Sequence, residues 1–121
     1  METRAFQPLY TPATGTGLSG SLSPSTTIGA STSAAANSAP FSGTTNNQIV
    51  QIQIANQTTA WAYVNFGTFG NVTAATVAAS YPVAPGAVVV VSVANEVNAA
   101  SVILAAGGTA GSVTFTRGEG L

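Results

Sequence analysis

Between Gln48 and Phe66 the chain reads QIVQIQIANQTTAWAYVNF, and side chains of opposite character alternate there at every second position. Val50, Ile52 and Ile54 interleave with Gln51, Gln53 and Ala55, the period of a strand that turns one face to a core and the other to water. A second alternation follows the polar stretch Asn56–Thr59: Ala62, Val64 and Phe66 on one side, Trp61, Tyr63 and Asn65 on the other. Two such runs joined by a short polar segment predict a β-hairpin. Either side of its second strand could face inward. Large residues are scarce elsewhere, so Val64 and Phe66 suit a thin core beside Ile52 and Ile54, with Trp61 and Tyr63 outward.

The rest of the chain repeats this theme with weaker signals. Residues 1–23 hold Pro8 and Pro12, several Gly and Ser, and isolated large residues, Phe6, Leu9, Tyr10, Leu18 and Leu22. Spaced apolar residues cannot close a core, so this segment reads as an extended N-terminal arm. A short strand is expected around Thr26–Ser31, followed by a loop despite the alanines at 34–36. Val72–Ala79 has the composition of a strand of small residues. Tyr81–Gly86 carries Pro82 and Pro85, which confines it to a sheet edge with a turn at Pro85-Gly86. Ala87–Val93 is a continuous valine-rich strand, buried on both faces or on one face and an interface. Strands are also expected at Ser101–Ala105 and Ser112–Thr116, and residues 117–121 form a polar tail. About seven short strands with Gly, Pro and Asn turns, and no fixed repeat, indicate one all-β domain over 24–116, an antiparallel β-sandwich with jelly-roll-like connectivity.

Function is bounded by what the chain lacks. It contains no Cys, His, Lys or Asp, and its charges are Glu2, Arg4, Glu96, Arg117 and Glu119, 4% of 121 residues where about 25% is usual. No His, Lys or Asp is present to activate a Ser or Thr as a nucleophile, and paired-carboxylate chemistry would need two of Glu2, Glu96 and Glu119 to converge although two of the three lie on terminal segments. A non-enzymatic protein is expected, with no catalytic residue, metal or cofactor. Glu96 with Asn95 and Asn98 is a weak calcium pattern, and Glu96 reads instead as a solvated loop residue. Gly67-Thr68-Phe69-Gly70 lacks the lysine and helix of a phosphate loop. Two arginines are too few for a nucleic-acid backbone. The longest apolar run, Ala87–Val91, is far short of the about 20 residues of a membrane span, and METRAFQPLY has no apolar run of a secretory signal.

Such a surface keeps little electrostatic protection against association, so partners are expected to cover part of it. Candidate contact residues are Phe6, Leu9 and Tyr10 on the arm, Trp61 and Tyr63 on the hairpin, Val88 and Val90 on the valine strand, and Arg117 in the tail. Trp61 and Tyr63 have three readings: core residues, a stacking platform for sugar rings, or a patch for a protein partner.

The segments METRAFQPLYTPA, QIVQIQIANQTTAWAYVNFG, PVAPGAVVVVSV and GSVTFTRGEGL, in this order, resemble small bacteriophage virion proteins with a sandwich or jelly-roll fold, above all the cement (decoration) proteins of capsids. Residues 31–39 have no counterpart. The resemblance implies a structural protein on the capsid surface of a virion made in the host cytoplasm. Its partners would be the major capsid protein, whose neighbouring subunits it clamps, and copies of itself in a dimer or trimer. A head-fibre or tail component, or a receptor module for a glycan, is the alternative.

Overall fold

The computed structural model describes residues 6–8, 25–38, 40–41 and 48–119. Its strands are β1 (Gln7–Pro8), β2 (Ser25–Ala30), β3 (Ala36–Asn37), β4 (Ile49–Asn56), β5 (Ala62–Gly67), β6 (Tyr81–Val83), β7 (Val88–Ala94), β8 (Ala99–Leu104) and β9 (Gly111–Glu119). β4 keeps the alternation read from its residues, burying Val50, Ile52, Ile54 and Asn56. β5 buries Ala62 and Val64, and Phe66 packs against the same core. Trp61 is exposed and Tyr63 half-buried, as the scarcity of large residues implies.

The two strands do not form a hairpin. β4 lies between β7 and β9, with Ile52 opposite Val91 and Arg117, whereas β5 lies between β6 and β8, with Val64 opposite Tyr81 and Val102. Residues 57–61 carry the chain from one sheet to the other. The cause is Asn56, whose buried amide makes hydrogen bonds that a solvated hairpin turn would leave to water.

One sheet has the order β2–β9–β4–β7 and the other β3–β8–β5–β6, with every pairing antiparallel. β1 joins the first sheet on the edge of β9 that β2 also occupies: Pro8 lies opposite Gly118 and Ser25 opposite Thr116, while β4 takes the other edge. From β2 onward every connection except β5–β6 crosses between sheets. Two four-stranded antiparallel sheets joined this way make the double Greek key of a jelly roll.

Between the sheets lies a core of aliphatic side chains around Phe115. Phe41 stacks on Phe115 with centroids 6.4 Å apart, and Phe66 meets it edge-on at 6.2 Å. Each fully buried Ile, Val or Phe contributes about 1.5–3 kcal/mol by leaving water. Phe41 reads as part of a turn-rich lead-in by sequence, yet it is wholly buried.

Other expectations need correcting. Val72–Ala79 is not a strand but part of the long β5–β6 connection, held over the second sheet by Ala75 N–H to Ser101 Oγ at 3.0 Å and Asn65 Nδ2 to Thr73 O at 3.2 Å. The valine strand is not buried on both faces: β7 ends its sheet, and its side chains alternate between partial burial and exposure. β9 continues past Thr116 to Glu119, which takes Arg117 out of the tail and into the sheet. The edge assignment of the proline segment holds. β6 ends the second sheet, and Ala87 N–H reaches Ala84 O across Pro85-Gly86, where Gly86 at φ 72° supplies the left-handed residue of a type II turn.

Candidate functional site

Reactive side chains do not converge among the described residues: no group of three His, Cys, Asp or Glu occurs there. Glu96 is exposed in the β7–β8 turn. The two asparagines that flank it have internal partners instead of open ligand positions. Asn98 Oδ1 accepts from Phe69 N–H at 2.8 Å, and both oxygens of Asn95 accept from the Arg117 guanidinium. Arg117 itself is only 7% exposed, on the inward face of β9, and its Nε has no hydrogen-bond partner among the described residues. Burial lowers its pKa from the usual guanidinium value. It is a buried cation whose guanidinium is hydrogen-bonded by the two uncharged oxygens of Asn95.

What remains as a site is surface. The outward residues of β2–β9–β4–β7 form one face on which no described side chain is charged. Its composition changes across the sheet. On the β2–β9 side, paired hydroxyls run in rungs, Ser25 Oγ to Thr116 Oγ1 at 2.9 Å and Thr27 Oγ1 to Thr114 Oγ1 at 3.0 Å. Gln51 and Gln53 follow on β4, and Val88 and Val90 on β7 stand 60% and 41% exposed. Ile49, exposed beside Ala94, extends the apolar strip. Sequence reasoning missed Ile49, although its odd position puts it out of phase with Val50, Ile52 and Ile54.

Trp61 and Tyr63 project from the opposite side of the molecule. Tyr63 sits between Pro82 on β6 and Ile103 on β8, and Trp61, 47% exposed, precedes it in the same phase. Ala105 N–H donates to the Trp61 carbonyl at 2.9 Å, which ties its backbone to the end of β8. The candidate contact residues therefore divide. Val88 and Val90 share one outer face, Trp61 and Tyr63 the other, and Arg117 is inside. Phe6 is partly buried next to β1, while Leu9 and Tyr10 lie outside the described residues. Phe69, Val77 and Tyr81 are further exposed large residues, on or beside the β5–β6 connection. Comparison with protein-family models, with curated proteins and with solved structures returned no match.

Proposed function

We propose that the protein is a non-enzymatic structural component of a bacteriophage virion that decorates the capsid and stabilises it by clamping neighbouring major capsid subunits. The observation that carries this reading is the uncharged outer face of β2–β9–β4–β7, which ends in exposed Val88 and Val90. A face graded from hydroxyls to valines gains by being covered, and it offers a broad, flat contact with no charge to desolvate. Jelly rolls recur in viral capsid and lectin domains, an analogy of fold that is compatible with the reading and does not carry it alone.

Co-sedimentation of the purified chain with empty phage shells tests it. Binding through an uncharged face is expected to change less than about twofold between low and high salt, because there are few fixed charges to screen. No binding to shells, or a steep loss with salt, overturns the reading. A glycan-binding fibre or tail module is the second reading, favoured by Trp61 standing on an open face beside Tyr63. Trp61→Ala separates the two. In a decoration protein bound through the valine face it leaves particle binding intact, whereas in a glycan module it abolishes retention on a glycan array.

A further inference from the structure

Among the described residues five strands lie at sheet edges, and four of them are blunted. β1 has two residues including Pro8, β3 has two, β6 has three including Pro82, and β2 has six with Gly29 within it. Short length, proline and glycine all weaken an edge as a template for another strand. β7 has none of these features. It runs for seven residues without Pro, Gly or charge, and among the described residues it pairs only with β4.

The phase of the ladder identifies the backbone groups left over on β7. Asn56 N–H donates to Ala87 O and Asn95 N–H donates to Gln48 O, each at 2.9 Å. Bonded and non-bonded pairs alternate along an antiparallel ladder. The odd-numbered residues of β7 therefore bond to β4, and the amides and carbonyls of Val88, Val90, Ser92 and Ala94 point to the open side. The side chains of these same four residues belong to the uncharged outer face.

The geometry points to a two-fold dimer in which β7 pairs antiparallel with β7 of a second copy, so that one sheet runs through both molecules. The occupant must be an extended, uncharged strand, and β7 is complementary to itself. With Val91 on the axis the whole strand overlaps: Val88 faces Ala94 and Val90 faces Ser92, and these pairs join the residues turned away from β4, of whose backbone groups Ala94 O also accepts from Val97 N–H at 3.0 Å. Val89 then faces Val93, and Val91 faces its own copy, all with side chains on the core side of the sheet. A slip by one residue sets free amides against amides already bonded to β4 and puts outward valines against inward ones. A slip by two keeps the phase and loses overlap at one end. Such a contact is isologous and closes at two copies instead of growing into a fibre.

This dimer deepens the assembly reading, since it names how one copy meets the next. It is measured in the free chain and particle binding is measured on shells, so either can fail without the other. The chain has no cysteine, which makes a single introduced thiol a clean reporter. Val91→Cys places two thiols across a non-bonded pair, where Cα atoms are about 4.5 Å apart and a disulfide fits. Val88→Cys places them six residues apart, about 20 Å. Mild oxidation of the full chain is expected to convert most of the Val91→Cys variant to a covalent dimer and to leave Val88→Cys largely monomeric. Sedimentation of the unaltered protein is expected to give twice the mass of one chain, and Val90→Lys, which sets a charge on the open edge, to weaken dimerisation at least tenfold. A monomeric unaltered protein, equal cross-linking of the two cysteine variants, or a folded Val90→Lys variant that dimerises as before overturns the inference. Should Val90→Lys fail to fold, the cysteine pair decides.

Discussion

Asn56 is 1% exposed, and both ends of its amide are engaged. Nδ2 donates to Ala60 O at 2.9 Å and to Val83 O and Ala84 O at 3.1 Å, while Oδ1 accepts from Thr58 N–H at 3.0 Å. Thr58 Oγ1 closes the ring at 2.7 Å from Oδ1 and accepts from Ala60 N–H at 3.2 Å. One side chain thus stitches the β4–β5 corner to the strand end before β7. Replacing it with alanine leaves buried carbonyls without donors, each costing about 1–3 kcal/mol. Asn56→Ala is therefore expected to lower stability by about 2–4 kcal/mol in urea denaturation, and a loss under about 1 kcal/mol would show that water replaces the amide there. None of this was legible locally. An Asn before Gln and two Thr has the composition of a wet turn, and the acceptors that make it a dry corner are 27 and 28 residues away.

At the scale of elements, the corner after β4 and the turn before β9 are fitted to each other. A Cβ on Gly108 would come within 2.4 Å of Ala60 Cβ, and one on Gly111 within 2.9 Å of Thr58 Cγ2. Neither neighbour can swing away, because Ala60 has no rotamer and Thr58 is held by Asn56. Gly108→Ala is expected to cost about 1–3 kcal/mol as an overpacked site, read as a shift in the urea midpoint with an unchanged slope. Strand character was legible wherever alternation ran for several residues, as in β4, β5 and β9, because a period of two reports burial directly. Pairing was not. Period two is the same whether a strand continues into a hairpin or crosses to the other sheet, and only the partners' register separates the cases. Val72–Ala79 failed for a related reason. Its composition favours a strand, but Ala75 N–H donating to Ser101 Oγ and Asn65 Nδ2 donating to Thr73 O hold it as a cover over the second sheet. Of the candidate contact residues, Trp61, Val88 and Val90 are exposed apolar positions, and their division between two opposite faces follows only from that crossing.

The whole molecule is almost without electrostatics. With no histidine and no cysteine, it has no side chain of the kinds that titrate near neutrality. Arg117 is a base whose pKa falls on folding, so its burial penalises the folded state wherever the unfolded chain holds the proton. That penalty is relieved only as pH rises through its lowered pKa toward the usual guanidinium value, outside the physiological range. Unfolding free energy is accordingly expected to vary by less than about 1 kcal/mol from about pH 6 to pH 9 in chemical denaturation. A slope in that window would mean that a group outside the described residues is coupled to folding.

The pairing of Gln7 with Glu119 also has a mechanical side. These residues lie opposite each other on antiparallel strands, so tension applied through them pulls β1 away from β9 one rung at a time. The same tension then meets Ser25 opposite Thr116, and β2 peels from the same end. Load applied through Ser25 and Gly111, at opposite ends of that pair, would instead act along the strands and strain all its rungs together. The fold is a zipper toward its own ends and a plate toward its faces. A shell under internal pressure would be held by such a plate only if force enters through the broad sheet surface, with the two ends carrying none of it.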